Sequence, residues 1–283
     1  MRGGFPLLLA ALVVAACAGE PPTTDSLPYL PGVPWQEIDL SGAFEAFDAA
    51  GVVLLREGSG PVRVHGASRA GDRFPPASTF KLPHALLALE LGVVADEHEV
   101  IAWDGTDHGG PGWNRDHDLA SALQVSAVWY FQEMARRIGR DRMNAGLERL
   151  GYGNRSIDGA LDRFWLDGGL RISPAEQLVF LERLEAGNLP VRPEVQATVR
   201  RIMAHDLPDG RPVLGKTGWT IVDGRHHGWY VGWTGPAFRP RFFVVYVTST
   251  DPDFPMRRAR LEILSHVLAQ AESGDAPVRR RTP

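Results

Sequence analysis

Strand-forming runs lie at the two ends of this sequence and helical periodicity fills its middle, so the chain must close one sheet across a long helical insertion. Residues 52–56 and 62–66 are β-rich and separated by Gly58-Ser59-Gly60, the composition of a hairpin. Strands return only after Pro212, over residues 213–221, 227–234 and 241–248. In the second of these, Trp229, Val231 and Trp233 alternate with Tyr230 and Gly232, as expected of a strand packed on one face. Between the two strand regions Leu82, Leu86 and Leu89 recur at helical spacing, with Pro83 near the helix start, where a missing N–H costs little. Val128, Phe131, Ala135 and Ile138 form a second stripe closed by Gly139, and Ser173 with Glu176 opens a third helix over 174–185 as a capping box. Residues 257–270 read as a closing amphipathic helix. The pattern predicts an α/β fold of the α+β type: an antiparallel sheet flanked by N- and C-terminal helices, with a helical lobe over about residues 76–190 inserted into it. A cleft between the lobes is the default site.

With 283 residues, 44% of them hydrophobic and 23% charged, the chain is long enough for one large domain or two interleaved ones. A net charge of -4 gives no electrostatic case for nucleic-acid binding. Arg2 followed by the apolar stretch 5–16 reads as an export signal, too short to span a bilayer as a permanent helix. Cys17, the sole cysteine, directly follows Val14-Ala15-Ala16, a run that resembles the lipobox of bacterial lipoproteins. The expected organisation is therefore a lipoprotein-type signal peptide (1–17), a flexible Pro-rich tether (18–34), a catalytic domain (35–272) and a disordered basic tail (273–283). The expected location is exported and periplasmic, with Cys17 lipidated as a membrane anchor; simple cleavage beside Ala16 or Ala18 is the alternative. A single cysteine also excludes an intramolecular disulfide.

Of the 30 basic residues only two are lysines, leaving 28 arginines, and both lysines sit in short motifs. They are Lys81 in Ser78-Thr79-Phe80-Lys81 and Lys216 in Lys216-Thr217-Gly218. A guanidinium stays protonated in any protein, whereas a lysine ammonium loses its proton when buried or set beside another cation. Ser78 precedes Lys81 by three residues, which on a helix puts both side chains on one face, the arrangement of a nucleophile and its base. Ser126-Ala127-Val128 sits just before the second helix, where Ser126 alone would read as a helix cap. Lys216-Thr217-Gly218 falls within a strand, where a glycine lets a substrate backbone approach.

Ser-x-x-Lys, a second serine motif and Lys-Thr-Gly, in this order, resemble the penicillin-recognising serine acyl enzymes. The resemblance sharpens to the class D β-lactamases, the oxacillinases, and covers nearly all of the chain after the signal. It is carried by Pro76 through Lys81, Glu97-His98, Trp103-Asp104-Gly105, Gln124 through Val128, Phe131-Gln132 with Ala135-Arg136, and Tyr152-Gly153-Asn154. Phe164-Trp165-Leu166, Arg171 through Pro174, Lys216 through Trp219 and Tyr230 through Trp233 complete it. A Ser-x-Val triplet stands where class A enzymes have Ser-Asp-Asn, and no class A-type glutamate loop is present.

The resemblance implies a fold of the serine β-lactamase/DD-peptidase type and hydrolysis of penicillins and oxacillin-type antibiotics, conferring resistance. It implies that Ser78 forms the acyl-enzyme and that Lys81 reacts with carbon dioxide to become N6-carboxylysine, the general base. Phe80, Val128, Trp165 and Leu166 would form the apolar pocket of that carbamate, with the Trp165 indole N–H bonded to it. Ser126 would protonate the departing lactam nitrogen beside Lys216. The backbone N–H groups of Ser78 and Trp219 would form the oxyanion hole, with Thr217 and Gly218 also binding substrate. Arg257 is the expected partner of the substrate carboxylate, with Arg258 and Arg260 as competitors.

No cofactor is implied beyond carbon dioxide or bicarbonate, and the expected partner is a small-molecule β-lactam, with the chain a monomer or homodimer. Residues 106–118 are expected as a loop at the mouth of the cleft, and Tyr152-Gly153-Asn154 as a structural turn. His108, His117, His226 and His227 fall in no familiar ligand spacing, so they read as solvated loop histidines and no metal is expected. Two other members of the superfamily would carry the same motifs, a non-hydrolysing β-lactam sensor and a penicillin-binding DD-peptidase.

Overall fold

The computed structural model describes Leu27 and residues 30–273; the segment read as an export signal, Cys17, most of the 18–34 segment and the residues from 274 onward lie outside the described residues. The chain begins with β1 (Trp35–Glu37), α1 (Ser41–Glu45) and the hairpin β2 (Ala50–Glu57) and β3 (Val62–His65). Six helices follow: α2 (Lys81–Glu90), α3 (Leu119–Val125), α4 (Val128–Ile138), α5 (Arg140–Leu150), α6 (Pro174–Glu185) and α7 (Pro193–Ile202). The sheet then resumes with β4 (Ala204–Asp206), β5 (Pro212–Val222), β6 (Arg225–Thr234) and β7 (Arg241–Ser249), and α8 (Met256–Ser273) closes the fold. Among the described residues no helix is long and apolar enough to cross a membrane.

The sheet has seven strands in the order β1-β3-β2-β7-β6-β5-β4, so β2 from the start of the chain pairs with β7 from its end. Every pairing is antiparallel except that of β1 with β3. The sequence reading expected a wholly antiparallel sheet. It misses this edge because α1 and β2 lie between β1 and β3 and reverse the chain before β3 forms.

Alternation along the strands divides the interior into two cores. Val52, Leu54, Trp229, Val231, Val244 and Tyr246 face the helical lobe. Val53, Leu55, Tyr230, Phe243, Val245 and Val247 face α1 and α8, whose Phe44, Met256, Ala259, Ile263, Leu264 and Val267 cover them. The spacing of those α8 residues is that of one helix face. β6 is thus buried on both sides, not one: the alternation in its sequence is between two aromatic-rich faces, each covered by helices. Helix α2 is buried along Lys81–Leu89, which its continuous apolar sequence permits, and packs among α4, α5 and α7. Helix α6 begins at the expected capping box: Ser173 Oγ accepts from Glu176 N, and Glu176 Oε2 accepts from Ser173 N.

Close strand packing fixes one glycine on β6. A Cβ at Gly232 would stand 2.2 Å from Leu214 O and 2.7 Å from Gly215 Cα, both backbone atoms of the neighbouring strand. Gly42 on α1 has nothing within 4 Å of the same position. Gly232→Ala is expected to cost on the order of 3 kcal/mol or more in denaturant unfolding, whereas Gly42→Ala stays within about 1 kcal/mol of wild type or gains stability.

Candidate active site

Ser78 does not lie on a regular α-helix, as the spacing argument assumed, but within the 3-10 turn Ala77–Phe80, and Lys81 is the first residue of α2. In a 3-10 turn side chains three apart eclipse, so the contact is closer than an α-helix would give. Lys81 Nζ is 2.6 Å from Ser78 Oγ. The turn is held from three sides. Ala77, at φ 49° in the left-handed region, donates its N–H to Trp165 O; Gln177 Nε2 donates to Thr79 Oγ1; and Trp229 Nε1 donates to Pro75 O. A non-glycine residue in that region stores strain that the surrounding contacts must enforce, here immediately before the nucleophile.

Two further elements converge on Lys81. Ser126 is not a helix N-cap: it ends α3 in the left-handed conformation at φ 61°, and Ala127 caps α4. That geometry turns Ser126 Oγ inward, 3.3 Å from Lys81 Nζ and 3.0 Å from Lys216 Nζ. Strand β5 brings Lys216 beside it, and Lys216 Nζ also donates to Thr217 O. The strand can approach because residue 218 is glycine: a Cβ there would meet Pro76 O at 2.9 Å and Thr79 N at 3.2 Å, the backbone of the nucleophile turn. The four residues proposed as reactive thus form one chain of contacts, Ser78 to Lys81 to Ser126 to Lys216.

Among the described residues no carboxylate pairs with either lysine; both are almost wholly buried. Burial, then the charge of Lys216, holds the Lys81 ammonium well below its usual range. Burial, then the charge of Arg260, brings Lys216 down to about 7. A neutral amine in contact with a serine hydroxyl is a base or a nucleophile rather than a counter-ion.

A cavity of about 280 Å³ opens above Ser78, and Thr217, Gly218, Trp219 and Arg257 all line it. Val128 and Leu166, expected in the pocket around Lys81, are half-buried and line this cavity with Ser78 and Ser126. Phe80 and Trp165 do form the interior wall, fully buried and stacked with centroids 5.6 Å apart. The Trp165 Nε1–H is buried without a hydrogen-bond partner. Gly109, Gly110, Pro111 and Trp113 close the mouth from the expected loop, with Trp113 Nε1 donating to Val125 O.

Three residues gain a place that sequence reasoning missed or left open. Phe131 lies under Lys81 Nζ at 5.3 Å, one helical turn after Val128 on α4. His84, three residues after Lys81, is fully buried against Phe80, Phe131 and Trp165. Arg260 lines the cavity with Arg257 and donates to Gly218 O at 2.8 Å. Arg258 does not: it pairs with Glu262 and lies over Phe47, on the other side of α8. The spacing decides this, since 257 and 260 share a helix face and 258 does not.

The histidines expected to be solvated are largely not. His117, His226 and His227 are buried, and their rings bond Ser121 and Gly112 O, Trp219, and Tyr246 respectively. They lie inside strand pairings or beneath the loop, which local composition does not reveal. Tyr152-Gly153-Asn154 is the turn expected, with Asn154 bonding the backbone of Gly169 and Arg171.

The family model for the penicillin-binding protein transpeptidase domain matches residues 51–269. The chain is 40% identical to β-lactamase OXA-48 of Klebsiella pneumoniae over 228 residues, 80% of this chain and 83% of that protein. Among solved structures it resembles class D β-lactamase BAT-2, with TM-score 0.74 and 37% identity, covering 83% of this chain and 96% of that one. It also resembles the C-terminal domain of the Bacillus licheniformis BlaR penicillin-receptor, with TM-score 0.79 and 32% identity, covering 86% and 98%.

Removing the Lys216 charge should stabilise the protein. Its folded pKa of about 7 lies below the unfolded 10.5, so between these values the unfolded chain binds more protons and wild-type stability rises with pH. Lys216→Met is therefore expected to melt about 4–8 °C higher than wild type below pH 7, with the difference shrinking toward pH 10.5, by thermal unfolding across pH.

Proposed function

The chain belongs to the class D serine β-lactamases, and from that premise we propose how its residues divide the work of opening and hydrolysing a β-lactam ring. Hydrolysis of the ring is the activity of this family. The observation that carries the assignment here is the contact of a fully buried amine, with no carboxylate partner among the described residues, with a serine hydroxyl at 2.6 Å.

Ser78 Oγ attacks the lactam carbonyl while its proton passes to the base at Lys81. The backbone N–H groups of Ser78 and Trp219 receive the oxyanion, and the close approach permitted by Gly218 supports that placement of Trp219. Ser126 Oγ, held between two amines, passes a proton to the departing ring nitrogen, and Lys216 keeps the local field positive. Water then attacks the ester carbonyl with the same base at Lys81, and Ser78 recovers its proton. Arg257, with Arg260 behind it, binds the carboxylate of the substrate.

The base at Lys81 is an N6-carboxylysine. Burial favours the neutral amine that reacts with carbon dioxide, and the unpartnered Trp165 N–H suits a carbamate oxygen. When formed, the carbamate supplies an anionic oxygen base for both half-reactions. The family needs no other cofactor. The substrate range includes oxacillin-type penicillins, for which the cavity offers apolar side chains, Trp113, Val128, Leu166 and Trp219, opposite the cations Arg257 and Arg260. The protein is exported and tethered to the membrane by a lipid on Cys17; a mature form from the membrane fraction whose mass begins beyond residue 17 would end that reading.

The likeness to the BlaR receptor domain makes a sensor the second reading, in which the same Ser78 acyl-enzyme forms here but is not hydrolysed. Intact mass after penicillin addition is expected to show an acyl adduct at Ser78 that clears in seconds with multiple turnovers of nitrocefin; an adduct stable for hours would mean a sensor. Lys81→Ala is expected to reduce turnover by at least about a thousandfold, and added bicarbonate to raise wild-type turnover. Arg257→Ala is expected to raise KM about tenfold or more with a smaller change in kcat, while Arg258→Ala leaves both near wild type.

A further inference from the structure

His84 is a fully buried histidine whose two ring nitrogens both lack a hydrogen-bond partner among the described residues. It follows Lys81 by three residues on α2, and its ring packs at 5.4 Å against Phe80, Phe131 and Trp165 alike. Lys81 Nζ sits over the same Phe131 ring. The indole N–H of Trp165, on the ring that meets His84 edge-on, is unpartnered too.

A neutral imidazole carries one donor and one acceptor nitrogen, and an indole carries a donor only. Buried polar atoms without partners are costly, and a leucine or phenylalanine would fill this space without that cost. Two donors on touching rings therefore call for an acceptor between them and Lys81. The unmodified lysine does not provide one. As an ammonium it has no lone pair and donates to Ser78 Oγ at 2.6 Å, and as an amine it has a single lone pair, which the same Ser78 hydroxyl would occupy. A carboxyl group on Nζ, which lies over the same Phe131 ring that His84 packs against, adds two acceptor oxygens.

We propose that His84 is a positioning residue for the carbamate of Lys81, donating an N–H to it and taking up the proton released when it forms. The inference rests on the carboxylysine reading above. In the step, the Lys81 amine lone pair forms the N–C bond to carbon dioxide, one C=O π pair moves to oxygen, and Nζ loses one proton. His84 accepts that proton on its free ring nitrogen, so a buried anion and a buried cation appear together and the pocket gains no net charge. A lone carbamate in the same wall of Phe80, Phe131 and Trp165 would instead be an isolated charge.

The coupling has a sign. The charged group that faces the imidazole is Lys81, on its own helix. The nucleophile turn presents Phe80, α4 presents Phe131 and the 164–166 segment presents Trp165, none of them charged, and Lys216 stands beyond Lys81. Burial and then the Lys81 charge hold His84 neutral, down at about 3. Replacing that cation by an anion reverses the electrostatic contribution and draws a proton to the ring. Acid, which discharges a carbamate, then acts at a lower pH than it would without His84.

The test uses the purified protein with 13C-labelled bicarbonate and follows the carbamate carbon by NMR, with 15N-labelled histidine as a second probe. In wild type the His84 ring nitrogens are expected to shift as the carbamate signal grows. His84→Leu is expected to need about tenfold more carbon dioxide for half-carboxylation and to lose the signal at higher pH, with His84→Asn, which can donate to the carbamate but takes up no proton, between the two. Equal carbon dioxide affinity and pH midpoint in wild type and His84→Leu would overturn the proposal. If His84→Leu does not fold, the wild type decides: a carbamate signal that grows while the His84 nitrogens stay unmoved overturns it. Absence of any carbamate in wild type at saturating bicarbonate is a different result, and removes the carboxylysine reading itself.

Discussion

Two amines buried around one serine, with no carboxylate among the described residues to balance them, set the terms for the rest of this structure. Such an arrangement is unfavourable in isolation, because burial opposes the charged form of both amines, the charge of Lys216 opposes protonation of Lys81, and that of Arg260 opposes protonation of Lys216. It persists because three separate parts of the chain are each fixed by their own packing. The nucleophile turn is tied to Trp165, Gln177 and Trp229, Ser126 is locked in a left-handed helix end, and Lys216 is carried on a strand paired along its full length. The sheet, buried on both faces, supplies the rigidity against which these contacts are held.

The site shows why a lysine, and not one of the 28 arginines, occupies each position. At Lys81 the amine must become neutral inside an aromatic wall, which a guanidinium does not do. At Lys216 a compact donor must reach both Ser126 Oγ and Thr217 O while strand β5 lies against the nucleophile turn. The arginines serve where a permanent, forked cation is needed. Arg257 and Arg260 face the cavity from one side of α8, and Arg258, one position away, joins a surface pair with Glu262. Stability and function pull in opposite directions at these buried cations, as is common for active sites.

Much of this was legible before any coordinates, and the reasons are local. The hairpin around Gly58-Ser59-Gly60, the capping box at Ser173 and Glu176, and the strand periods after Pro212 are written in residues that touch along the chain. The misreadings share the opposite cause. The burial of β6 on both faces, the parallel pairing of β1 and the burial of His117, His226 and His227 all depend on what packs from elsewhere, as does the separation of Arg258 from Arg257 and Arg260, which the sequence left open. Phe131 and His84 were visible at helical spacing from residues already singled out, but spacing alone does not say which face of α2 or α4 meets the amine.

The sequence by itself determined which reactive groups exist and in what order: a serine three residues before a lysine, a second serine, and a Lys-Thr-Gly strand, in a chain whose strands lie at both ends. Only the tertiary structure decided that they meet. Ser126 and Lys216 stand 90 residues apart in the chain, and their 3.0 Å contact forms because β5 pairs with β6 and slides against the nucleophile turn at a glycine. The same packing sets the chemistry of the amines, since a lysine becomes a base through desolvation and a neighbouring cation. Neither is a property of a residue; both are properties of where the folded chain puts it.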